Sequence, residues 1–108
     1  MRSWPNIRPK MIELDLSPAA RADLIDIRIY SIEQFGSAVA DDYFLGFAEA
    51  FALLRSHPKA GAEQRVLGKG IRCFTHRRHR IIYQIEGDLL LIVRIIHHAR
   101  SAKRALRG

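Results

Sequence analysis

Cysteine occurs once, as Cys73, so no disulfide forms within the chain and no thiolate cluster is available to a metal. A reducing compartment is the expected setting. Long apolar runs are absent too. The longest uninterrupted aliphatic stretch, Leu89 to Val93, is five residues, against the ~20 that a membrane helix needs. The first ten residues hold Trp4, two prolines and three bases but no apolar stretch. A signal peptide is therefore not expected, and a cytoplasmic location is. No repeat, linker or low-complexity segment divides the 108 residues, a length that suits one domain with its own core. Residues 1–10 read as an N-terminal extension and residues 11–108 as the domain, with Met11 available as an internal start.

Acids are missing from most of the second half, and this divides the charge. From Met11 to Glu63 there are nine acids and four bases. From Gln64 to Ile85 there are six bases, and from Leu89 to Gly108 five more, with no acid in either stretch. The positive charge behind the net +7 thus lies mostly in the second half of the chain. Such asymmetry favours an acidic protein or a nucleic acid as partner. Direct contact with nucleic acid is left open.

What is present is a clear alternation of patterns. Ile12, Leu14 and Leu16 alternate with Glu13 and Asp15, the period of a half-buried strand. Ser17-Pro18 then reads as a helix start, serine as N-cap and proline at the first helical position. Ala20, Leu24, Ile27 and Phe35 recur at helical spacing up to Gly36, which suits the residue after a helix. Ser37 is placed to cap a second helix, whose Tyr43, Phe44, Phe47 and Phe51 form a core stripe. Pro58 and Gly61 stop that helix. The first helix is apolar on more than one face. Its Leu24, Ile25, Ile29 and Ile32 are candidates to dock a partner helix.

After a loop between Gly61 and Gly70, three strands follow: Ile71 to Thr75, His79 to Ile85 and Leu89 to Ile96. The first turn runs through Arg77 and Arg78, and Gly87 supplies the positive φ of the second. Leu89 to Ile96 is apolar on both faces except for Arg94, as a central strand would be. The expected fold class is α+β in the order β-α-α-β-β-β, a helical hairpin packed on an antiparallel sheet. Alternation places Cys73 with Ile71 and Thr75, as a small core residue rather than a nucleophile. Tyr83 falls with Ile81 and Ile85, in the core with its hydroxyl at an edge. His97 and His98 point to opposite faces, one packed and one exposed. Without a spaced third ligand they make no metal site, and no cofactor is expected.

The segments LSPAARADLIDIRIYSIEQFG, DDYFLGFAEAFALLRSHPKAG and LGKGIRCFTHRRHRIIYQIEGDLLLIVRIIHHAR, in this order and spacing, resemble the ParE branch of the RelE/ParE toxin superfamily. The resemblance covers Met11 to about Arg100. It implies a toxin of a type II toxin–antitoxin pair, held in a hetero-oligomer by a ParD-like antitoxin, with DNA gyrase as the usual target. RelE-like members of the superfamily instead cleave mRNA in the ribosome. That alternative would cast Glu63 as general base, Arg72 as phosphate clamp and His98 as general acid. The tyrosine that ends RelE-like ribonucleases is replaced by Ala99-Arg100, so the non-catalytic inhibitor is the favoured reading. In that reading Arg65, Arg72, Arg77, Arg78, Arg80 and Arg100 form a target-binding rim on the sheet.

Overall fold

The structure, a computed structural model, describes residues 11–107. The N-terminal extension expected at residues 1–10 lies outside the described residues. Strand β1 (Glu13–Leu16) leads straight into helix α1 (Pro18–Phe35), as the serine–proline pair requires. The Ser17 hydroxyl accepts from the Ala20 N–H at 3.0 Å, and Pro18 occupies the first helical turn. Only Gly36 separates α1 from α2 (Ser37–Ser56). Because the corner is one residue long, the N-cap position falls on Gly36. Ser37 is already helical, and the expected serine cap is not formed.

Strand β2 (Ala62–Glu63) and a 3-10 turn (Arg65–Leu67) occupy the stretch that reads as loop. The meander follows as β3 (Ile71–His76), β4 (His79–Glu86) and β5 (Leu89–His97), and helix α3 (Ala102–Arg107) closes the described chain. Gly87 has φ 59° at the β4–β5 turn, the conformation that turn needs. The sheet order is β1-β5-β4-β3-β2. The meander is antiparallel, and β1 adds to β5 in parallel, Glu13 opposite Leu89 through Leu16 opposite Ile92. The sheet is therefore mixed, under a helical hairpin.

Two cores form, one on each face of the sheet. Beneath the hairpin, Ala20, Phe47 and Leu54 pack on Ile81, Tyr83, Leu90, Ile92 and Ile95. On the opposite face Ile71, Ile82 and Ile96 are covered by Ala102, with Ala105 and Leu106 against them. A bulge explains how β5 serves both. Ile82 pairs with Arg94 but Tyr83 pairs with Ile92, so Val93 is the extra residue and side-chain facing shifts by one. Tyr83 is fully buried, and its hydroxyl donates to the Pro58 carbonyl (2.6 Å) and accepts from the Gly61 N–H (2.9 Å). Gly61 must lack a side chain here, since a Cβ would lie 2.7 Å from the Tyr83 hydroxyl.

β1 ends opposite Ile92, which leaves the last part of β5 without a neighbouring strand on that edge. The start of α1 closes that edge. Ser17 N–H donates to the Ile92 carbonyl (2.9 Å), and the Ser17 hydroxyl to the Val93 carbonyl (2.7 Å). The Asp23 carboxylate accepts from the Ile95 N–H (2.9 Å) and holds Arg94 through Nε (2.7 Å) and Nη2 (2.9 Å). Arg94 Nη1 continues to the Ala105 carbonyl of α3 (3.0 Å). With side chains only 12% and 19% exposed, this pair is partly withdrawn from water. Removing one partner strands the other charge. Asp23→Ala is expected to cost about 3 kcal/mol in urea unfolding. Asp15→Ala, which breaks the solvated pair with Arg21, should cost no more than about 0.5 kcal/mol.

Candidate target and partner interface

The β3–β4 turn gathers most of the candidate chemistry at one end of the sheet. It needs only Arg77 and Arg78 between His76 and His79, and Arg77 adopts φ 53° to make it. The chain beyond β5 folds back on this turn. The His98 N–H donates to the Arg78 carbonyl (2.8 Å), and Arg80 Nη2 to the Arg100 carbonyl (2.5 Å). His79 stands edge-on to His97 with ring centroids 5.6 Å apart, and His97 lies 4.4 Å from His98. Tyr43 of α2 closes the group, its hydroxyl 2.5 Å from His79 Nδ1.

Burial and the neighbouring imidazoles push the His79 pKa down to about 4. His76 is lowered in the same direction, by burial and then by Arg77. Tyr43 is raised by burial, so its phenol stays protonated at neutral pH. Cys73, half-buried among the α3-side core residues, is also raised by burial, as suits a packing thiol. Among the described residues no three His, Cys, Asp or Glu side chains are arranged to hold a metal.

The sequence candidates divide by where their side chains point. Arg72 turns inward: it is 19% exposed and donates to the Gly61 carbonyl at 2.7 Å, with Glu63 at 3.8 Å. Arg80 is likewise committed to the Arg100 carbonyl, and its Nε is enclosed without a partner. Arg65 is exposed and paired with Glu63 at 3.2 Å. Arg77 lies over the Tyr43 ring, with Asp42 at 3.9 Å. Arg78 and Arg100 are exposed. Glu63 and Arg72 are cross-strand partners. His98 does not join them, because it is bonded to Arg78 while Arg72 pairs with Tyr83. Those positions are separated by about 16 Å along β4. His97 is half-buried and His98 exposed, just past the end of β5.

On α1, Ile25, Ile29 and Ile32 are exposed, whereas Leu24 packs against the core. The sequence reading missed a second apolar surface. A groove of about 600 Å³ runs between α1, the start of α2 and the open end of β5. Ile27, Tyr30, Phe35 and Val39 line its helical side, and Ile95 and Ile96 its sheet side. Asp26, Arg78, His97 and Arg100 stand around it. The only trace of it in the sequence is that α1 is apolar on several faces.

This architecture recurs in solved toxins. The chain matches a structure of the chromosomal ParDE toxin–antitoxin system from Pseudomonas aeruginosa with TM-score 0.71 at 22% identity, over 82% of this chain and 97% of that one. It matches one of the RelBE2 toxin–antitoxin complex of Mycobacterium tuberculosis with TM-score 0.57 at 20% identity, over 81% and 98%. The fold is that of the RelE/ParE toxins. Sequence narrows the class: residues 14–102 match the model of the ParE toxin of type II toxin–antitoxin systems. The chain is also 31% identical over 91 residues to toxin ParE1 of Caulobacter vibrioides, 84% of this chain and 94% of that protein. It belongs to the ParE toxin family.

The histidine cluster makes stability acid-sensitive. His79 is neutral in the fold down to about pH 4, whereas in the unfolded chain it takes up a proton near its ordinary value of 6.5. Stability from this group is therefore full above pH 6.5 and lost as pH falls to 4, a total of up to ~3 kcal/mol. Urea unfolding at pH 7, 5.5 and 4.5 should show this loss in the native chain. His79→Gln should show a much flatter profile over the same interval.

Proposed function

We propose that this ParE-family toxin arrests growth by binding DNA gyrase in the cytoplasm, and that a ParD-like antitoxin neutralises it in a hetero-oligomer. The observation that carries the target reading is the rigid basic end of the sheet. Arg77, Arg78 and Arg100 project there from a two-residue turn and from the chain bonded back onto it. Cations on a fixed frame grip an acidic protein surface without the ordering cost of a loose arm. Arg65 adds a fourth exposed cation at the other end, while Arg72 and Arg80 brace the frame from within. The ribonuclease triad suggested by sequence type does not converge, since Glu63 and Arg72 are held away from His98. The antitoxin reading rests on the exposed apolar residues of α1, including Ile25, Ile29 and Ile32, which a single copy leaves open to water.

Purified toxin should inhibit gyrase supercoiling and leave ribosome-bound mRNA intact. Single alanine replacements of Arg77, Arg78 and Arg100 should weaken inhibition in steps of ~1–2 kcal/mol each, with inhibition falling further at high salt. Cleavage of mRNA without any effect on supercoiling would reverse the assignment. So would an all-or-none loss of toxicity at Glu63 or His98.

A further inference from the structure

Helix α3 carries its charge on one side only. Ala102, Ala105 and Leu106 turn onto the sheet and cover Ile71, Ile82 and Ile96. The other three side chains, Lys103, Arg104 and Arg107, are exposed. The helix is held in place at both backbone polarities. Ser101 Oγ accepts from the Arg104 N–H (3.2 Å), and the Ala105 carbonyl accepts from Arg94 Nη1 (3.0 Å). Exposed Arg100 lies two residues before α3, and the Arg78 carbonyl is bonded to the His98 N–H, so Arg78 stands near the start of the helix. α3 also rests on the 3-10 turn, which exposed Lys69 follows. Among the described residues, Arg78, Arg100, Lys103, Arg104 and Arg107 have no carboxylate within 4 Å. Across the sheet, α1 and α2 hold six acids and three bases. The domain is therefore basic on its α3 face and acidic on its hairpin face.

We propose that the outer side of α3, with Arg78 and Arg100 beside it, binds the phosphate backbone of duplex DNA. The composition of the surface argues for phosphates over an acidic protein. None of the large exposed apolar residues belongs to α3 or to β3, β4 and β5 beneath it. A protein interface gathers an apolar centre and is depleted in lysine, and this surface does neither. A single strand fits less well than a duplex. The exposed Tyr30 and Phe35 rings belong to α1, so neither is there to stack an unpaired base. The six residues of α3 rise about 9 Å. Phosphates follow one another every ~3.4 Å of axis on each strand, so cations one turn apart reach different phosphates. The acids of the hairpin repel DNA and thereby favour approach from the α3 face. The exposed apolar residues of α1 stay clear, because they lie on the other side of the sheet. The choice of DNA over RNA rests on the gyrase reading, whereas the phosphate-binding surface does not.

Fluorescence anisotropy of a fluorescein-labelled DNA duplex of about 20 base pairs, titrated with the full chain between about 50 and 200 mM salt, tests this directly. The native chain should bind with a slope of log K on log salt of about −3 or steeper. Arg104→Ala/Arg107→Ala should weaken binding at least about tenfold at the lower salt and flatten the slope by about 2. Arg104→Lys/Arg107→Lys, which keeps both charges, should restore binding. Arg21→Ala/Arg28→Ala removes as much charge from the hairpin face and should leave the slope unchanged. Circular dichroism establishes that each variant is folded. Absence of salt-dependent binding by the native chain, or equal losses in the two alanine pairs, overturns the α3 surface. Tighter binding to a labelled polyglutamate peptide overturns it in favour of an acidic protein. Tighter binding to an RNA duplex of the same length overturns the choice of DNA. Supercoiling assays on the same samples separate the two readings. DNA binding without inhibition of gyrase sinks the gyrase reading alone, and inhibition without DNA binding sinks the α3 surface alone.

Discussion

The carboxylate of Asp23 is the point on which three elements of this fold depend. It belongs to α1, caps a backbone N–H of β5 and holds the Arg94 guanidinium that in turn reaches the α3 backbone. β5 needs such a closure because its parallel neighbour β1 stops at Leu16, and an uncovered edge is open to pairing with other chains. The Val93 bulge turns Arg94 to the α3 face of the sheet, from which its guanidinium reaches Asp23 of α1. One ion pair thereby seats the hairpin on one face and α3 on the other. The Asp23 hydrogen bond holds the Arg94 pKa above its ordinary value, so the guanidinium keeps its charge.

That link also decides where the exposed surfaces lie. The groove lies between α1, the start of α2 and the end of β5. The β3–β4 turn and the chain beyond β5 meet there, joined through the Arg78 and Arg100 carbonyls. Backbone bonding thus involves the carbonyls of Arg78 and Arg100 and leaves their side chains exposed. At the opposite end Arg72 spends its charge on the Gly61 carbonyl and the loop that Tyr83 also anchors. The arginines of the meander therefore do different work, some bracing the frame and some facing outward.

Local chemistry made much of this readable in the sequence. Ser17-Pro18 starts a helix whatever surrounds it, Gly87 is needed by its turn, and the alternation around Tyr83 sets its face. The two or three residues of β2 and the 3-10 turn carry no periodicity, and the six residues of α3 make less than two helical turns, so these escape the pattern. Ser37 misleads because a cap depends on the length of the preceding corner. The parallel pairing of β1 with β5 joins residues at opposite ends of the chain, and no local signal encodes it. The same holds for Arg94, which stands out in the sequence as one charge in an apolar strand while its partner lies 71 residues earlier. The groove is lined by residues of α1, α2 and β5 that lie far apart in the chain, so in the sequence it shows merely as an excess of apolar positions on α1.

The central proposal is that the exposed apolar face of α1 is where the antitoxin is received. Isoleucine methyl groups report on it individually. Ile25, Ile29 and Ile32 are exposed on α1, while Ile82 and Ile96 are buried on the α3 side of the sheet. In an NMR titration of isoleucine-labelled toxin with its antitoxin, the account predicts that the Ile25, Ile29 and Ile32 methyl resonances shift. Shifts confined to Ile82 and Ile96, with the α1 methyls unmoved, would contradict it.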